Sequence, residues 1–124
     1  MSEHSFAYLR DQRYISLATF RRNGQPVLTP VWFAEKDGNL YVMTRSDSGK
    51  YKRIRNNPQV RVAPCTSRGR VTGPDVAGVA RVLPPAEEAG ARQALARKYW
   101  LIRFPWLWSR KNVFLEIEPR ATEE

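Results

Sequence analysis

The chain has 124 residues, of which 42% are hydrophobic and 27% charged, a balance that suits one globular domain and argues against a disordered or fibrous chain. Its 21 Lys and Arg against 12 Asp and Glu give a formal charge of +9, which calls for an acidic partner or serves solubility. With one cysteine, Cys65, and one histidine, His4, the chain has no intramolecular disulfide and too few ligands for a zinc site, and no metal is expected.

The first residues, Met-Ser-Glu-His-Ser-Phe, lack the basic-then-apolar order of a signal peptide, and no apolar run reaches transmembrane length. A cytoplasmic location is expected. Phe6, Leu9 and Arg10 suggest a short N-terminal helix. Tyr14–Phe20 has strand composition and is followed by the hairpin signal Arg22-Asn-Gly-Gln25. Residues 26–34 read as the return strand, Asp37-Gly-Asn39 as a turn and Leu40–Thr44 as a third strand, so the three are expected to form a meander. Pro30 removes one ladder donor, which places its strand at a sheet edge or at a bulge.

The segment from Thr44 to Pro58 carries the strongest chemical signal. Ser48 is a good N-cap, and Pro58 stops a helix before it. Lys50, Lys52, Arg53 and Arg55 add four cations, with no acid between them, to a helix start that already favours anions. Gly49 permits close backbone approach, and hydroxyls at Thr44, Ser46 and Ser48 stand at the helix mouth. The segment lacks the second glycine and the hydroxyl after lysine of a nucleotide phosphate loop, so it indicates an anion without specifying which. A solvated basic face is the plain alternative.

Gln59–Cys65 resumes strand character, with Cys65 expected as a buried thiol. Gly69, Gly73, Pro74 and Gly78 punctuate a bent strand ending Val79–Leu83. Ala86–Trp100 is the clearest helix, with acids in its first turn and bases in its last. Trp100–Lys111 is rich in aromatic and basic residues and suits packing over the barrel, at a subunit interface or around a substrate entrance, with peripheral contact to an anionic membrane as the alternative. Asn112–Glu118 alternates as a last strand. The pattern is mainly β with minor α: five or six antiparallel strands, a crossing basic helix and a later helix, in a closed or partly open barrel. Neither a Cys–His pair nor a Ser–His–Asp triad is available, so redox or other demanding chemistry would belong to a cofactor.

Several words of the sequence, in order, resemble the pyridoxamine 5′-phosphate oxidase-like split-barrel flavin and deazaflavin oxidoreductases, in particular the coenzyme F420-dependent branch. They include Leu17–Arg21, Gly24, Pro26, Thr29–Phe33, Ser48–Lys50, Arg53, Asn57-Pro58, Val62–Cys65, Gly73-Pro74 and Ala80–Leu83, and they span about residues 13–118. The resemblance implies one domain over 1–124, a six-stranded antiparallel split β-barrel of Greek-key type. It implies a homodimer with the cofactor at the subunit interface. Pro30, Val31 and Trp32 would lay their backbone beside the cofactor ring. Thr44, Ser48, Gly49 and Lys50 would hold its phosphate, with Lys52 a further basic position.

The chain departs from the oxidases that use flavin mononucleotide at two places. Thr29 and its neighbours are uncharged where those enzymes have an Arg, and Gly49 replaces another Arg. A phosphate monoester needs dense neutralisation. The longer anion of F420, a phosphodiester with a glutamate tail, suits the track from Lys50 to Arg55, with Arg68 and Arg70 as possible extensions. The expected function is F420-dependent hydride transfer to a small electron-poor organic substrate. The alternatives are an oxidoreductase binding flavin mononucleotide, a non-enzymatic flavin or deazaflavin carrier, and a small nucleic-acid-binding barrel. Tyr51, Trp32 or solvent could supply a proton, and the sequence selects none of them; Trp32 could equally be a packing residue.

Overall fold

The computed structural model describes residues 6–99 and 112–120. Its frame is an antiparallel sheet of β1 (Tyr14–Phe20), β2 (Pro26–Val31), β3 (Ala34–Lys36), β4 (Asn39–Arg45), β5 (Gln59–Cys65), β6 (Val76–Val82) and β7 (Asn112–Pro119). Helix α1 (Gly49–Asn56) joins β4 to β5, and α2 (Glu88–Lys98) follows β6 after a short turn of 3-10 helix at Pro85–Glu87. The expected N-terminal helix is a single 3-10 turn, Ala7–Leu9, pinned by the buried Phe6 and Leu9.

The strand order is β2-β1-β5-β6-β7-β4-β3, so β2 and β3 are the two outer strands. In a flat sheet these edges would stand about 29 Å apart at ordinary strand spacing. Yet only Trp32 and Phe33 lie between Val31 and Ala34, and three Cα steps reach about 11 Å. The sheet must therefore curl until its edges meet, which is the barrel.

This corrects the reading of residues 26–34 as one strand of a meander. The run breaks after Val31, and its two parts lie at opposite edges, raising the strand count from the expected six to seven. β2 pairs only with β1, in unbroken register from Phe20↔Pro26 to Ile15↔Val31. Pro30 thus sits on an edge, as its missing N–H requires, without a bulge. β3 pairs with β4 through the Asp37-Gly38 turn, whose φ angles of 54° and 87° are the left-handed pair that a two-residue hairpin needs.

The barrel interior is filled by Ile15, Leu17, Phe33, Val42, Val62, Leu115 and neighbouring apolar residues, with Ile54 of α1 reaching in from outside. α2 covers a second apolar layer, in which Leu95 and Tyr99 pack with Ala34 and Phe114. Cys65 is buried, and burial raises its thiol pKa, as expected of a structural cysteine. Among the described residues no helix is long and apolar enough to cross a membrane. His4 and the Trp100–Lys111 stretch lie outside the described residues.

Candidate functional site

α1 begins where the sequence places it. Ser48 has extended backbone geometry, and its Oγ accepts the Tyr51 N–H at 3.2 Å. The hydroxyls of Thr44 and Ser48 are 3.2 Å apart, so the last turn of β4 and the helix cap are tied together. The first main-chain bond of the helix runs from Lys52 N–H to Ser48 O. The N–H groups of Gly49 and Lys50 therefore have no helix carbonyl to bond and face outward at the mouth.

Positive charge accumulates at this mouth. Burial lowers the pKa of Lys50, and the Arg53 charge lowers it further. Two cations are thus held close together with no carboxylate in the first turn of the helix. Arg45, by contrast, is already committed to Asp47 through two bonds of 3.0 Å. Lys52 is exposed and borders a shallow groove with Arg55 and Asn56, to one side of Lys50.

Arg53 folds back along α1. Its Nε donates to Thr19 Oγ1 at 2.7 Å, beneath the helix on β1, where Thr19 has no exposed surface. A Cβ at position 49 would lie 2.7 Å from Arg53 Nη1, so the guanidinium occupies the space that the missing Gly49 side chain leaves. The cation absent from position 49 in the sequence is therefore supplied in space by residue 53.

Arg53 also lines a cavity of about 840 Å³, together with Phe20, Arg21, Arg22, Asn56 and Asn57. In the sequence Arg21 and Arg22 flank a hairpin turn and carry no assigned role. The fold sets them across from α1, so that a band of cations continues from Lys50 through Arg53 to the β1–β2 turn. Their missed signal was a pair of arginines immediately before Asn-Gly. Arg68 and Arg70 do not join this band; they sit in the exposed turn that Thr66 caps and that carries Gly69 over Pro30.

Pro30, Val31 and Trp32 run along the barrel seam. Pro30 is exposed opposite Ser16, Val31 is buried in the barrel, and Trp32 stacks on Tyr99 with ring centroids 4.7 Å apart and planes within 5°. Tyr99 Oη accepts the Phe33 N–H at 3.2 Å and donates to Arg13 O at 2.6 Å, fixing the crossing between the two edges. Trp32 thus has a packing role whatever else its backbone contacts. Among the described residues no group of three or more His, Cys, Asp or Glu could hold a metal ion. The Lys50–Arg53 pair beside the N–H groups of an acid-free first turn fits an anionic ligand.

The whole chain, residues 1–124, matches the family model described as pyridoxamine 5′-phosphate oxidase. The chain belongs to the pyridoxamine 5′-phosphate oxidase family. Solved structures share its split-barrel fold at low identity. The haem storage protein HutZ of Vibrio cholerae superposes with a TM-score of 0.74 at 13% identity, covering 90% of this chain and 84% of that one. The conserved hypothetical protein Rv2991 of Mycobacterium tuberculosis gives 0.72 at 24%, covering 93% and 78%. An F420 reductase gives 0.68 at 23%, covering 98% and 97%. No curated protein matches the sequence. Within this pyridoxamine 5′-phosphate oxidase frame, haem-related and deazaflavin-related proteins share one architecture, so the choice of ligand must come from the side chains.

Proposed function

We propose that this protein is a cytoplasmic F420-dependent oxidoreductase that moves a hydride between the deazaflavin and a small electron-poor organic substrate. The observation that supports it best is the continuous acid-free band from Lys50 through Arg53 to Arg21 and Arg22. A long anion with a phosphodiester and carboxylates needs such spread charge. In this reading Thr44, Ser48, Gly49 and Lys50 hold the phosphate, and Lys52 adds long-range attraction from its exposed position. Arg53, Arg21 and Arg22 receive the tail, and the backbone of Pro30, Val31 and Trp32 borders the ring.

When bound, the deazaflavin supplies the two-electron chemistry. The chain's part is to neutralise the anion, fix the ring's orientation and shield one of its faces from water. No side chain is assigned as acid or base. The reading takes residues 1–124 as one domain and completes the groove with a second copy. Leu28, 56% exposed, and Val71, 45% exposed, border a 360 Å³ hollow with Ser16, Ala18 and the Arg61–Asp75 ion pair on the outer face of β1, β2 and β5, and this face is assigned to that copy.

Flavin mononucleotide is the second reading, favoured by one observation: Arg53 restores a cation beside Gly49, where a phosphate monoester would need it. Anaerobic mixing of the protein with reduced F420 and a panel of activated alkenes and nitroaromatics tests the assignment. The expected result is protein-dependent oxidation of F420 with one substrate class. Tight binding without turnover across the panel would identify a carrier, and turnover with reduced flavin alone would move the assignment to the second reading.

A further inference from the structure

A second cavity, about 310 Å³, lies between β3 and α2, away from the α1 mouth. Arg10, Glu35, Lys36, Arg97 and Lys98 line it, with Ala34 and Ala94 as apolar wall. Each oxygen of Glu35 already accepts one hydrogen bond, from Arg10 Nε at 2.9 Å and from the Gly38 N–H at 2.8 Å. That leaves Lys36, Arg97 and Lys98 without an ion-pair partner among the described residues. Lys98 is the unusual one. Its Nζ is shut off from water, has no hydrogen-bond partner among the described residues, and stands 3.6 Å above the Phe33 ring.

A shielded ammonium without an acceptor is costly, and a ring face offsets only part of that cost. Burial is the main cause that lowers its pKa to about 8. The surrounding charges divide, Asp11 and Glu35 favouring the cation and Arg13 opposing it. The flexible lysine stem can carry Nζ from the ring face to the cavity with little backbone movement.

We propose that this cavity binds a small organic carboxylate, with Lys98 as its counter-ion. A carboxylate offers two acceptor oxygens, one for the ammonium and one for the Arg97 fork. Its carbon body can rest on Ala34 and Ala94. A phosphate dianion fits less well, because the Glu35 carboxylate stands in the same wall. The site uses no residue of the α1 mouth, so it holds whether or not the cofactor assignment does.

The test is nuclear magnetic resonance of the full chain labelled at lysine, with the Lys98 signal assigned by its loss in Lys98→Arg. Benzoate, benzamide and inorganic phosphate are the probes. The free protein should show Lys98 titrating near pH 8. Saturating benzoate should raise that midpoint by about one unit, equivalent to roughly tenfold preference for the protonated form. Lys98→Met should abolish benzoate saturation, and Arg97→Gln, at an exposed position, should weaken it severalfold with an unchanged melting temperature. If Lys98→Met fails to fold, Arg97→Gln carries the test. An ordinary lysine midpoint, an equal response to benzamide, a response to phosphate alone, or benzoate binding indifferent to these substitutions would overturn the proposal.

Discussion

The guanidinium of Arg53 fills the space beside Gly49 while its Nε is anchored 2.7 Å from the buried Thr19 hydroxyl. One arginine thus connects β1, the start of α1 and the basic cavity. Replacing Gly49 by Ala would place a methyl group against Nη1 and displace the far end of a flexible side chain. Helix propensity favours Ala by about 0.5–1 kcal/mol, so thermal stability should change little. Affinity for the anionic cofactor should nevertheless fall severalfold. Unfolding and binding measured on the same Gly49→Ala sample check this separation.

The Arg53–Thr19 bond should show strong coupling. Arg53→Met leaves the Thr19 hydroxyl buried and unpaired, at a cost of about 1–3 kcal/mol. Thr19→Val removes the other partner. In a double-mutant cycle by urea unfolding, the double variant should be less destabilised than the sum of the singles, because no orphaned polar group remains.

Ser48→Ala removes the cap acceptor for Tyr51 N–H and the partner of Thr44. Loss of such a cap costs about 1 kcal/mol. Urea unfolding should register that loss, and cofactor binding should weaken with it. Ser48→Asp should preserve the cap and stability, yet bind the anion worse than wild type because it brings a negative charge to the mouth.

Stability should pass through a maximum in alkaline solution. Burial lowers Lys98 from 10.5 to about 8. Between those values Lys98 binds its proton more strongly in the unfolded chain, so its contribution raises stability with pH, opposed above pH 9 by the raised Cys65 thiol. Lys50 acts in the same direction. Burial raises Tyr41 and Tyr99 from 10.0 to about 12. Above pH 10 the folded state is therefore the one that retains protons, and stability falls. Urea midpoints measured across this range should rise and then turn down, and Lys98→Met should flatten the rise.

Local chemistry was legible in the sequence wherever it was self-contained. Ser48 and Pro58 bracket α1, Asp37-Gly38 marks a hairpin, and Pro30 marks an edge strand, because each feature acts within a few residues. The break at Trp32–Phe33 was not legible. Its composition favours a continuous strand, and the bonds that hold the crossing come from Tyr99, distant in sequence. The convergence of Arg21 and Arg22 with Arg53 was hidden for the same reason: it depends on α1 packing over β1. The Lys98 cavity had no local signature, since a basic C-terminal turn of α2 is what any helix prefers.

The cofactor claim is tested most directly by titrating apo-protein, wild type and Lys50→Ala, with F420 and with flavin mononucleotide under identical salt. The expected result is F420 binding tighter than the flavin, and a loss of about tenfold or more in Lys50→Ala with its melting temperature unchanged. Flavin binding tighter than F420, or an affinity for F420 indifferent to Lys50, would contradict the account.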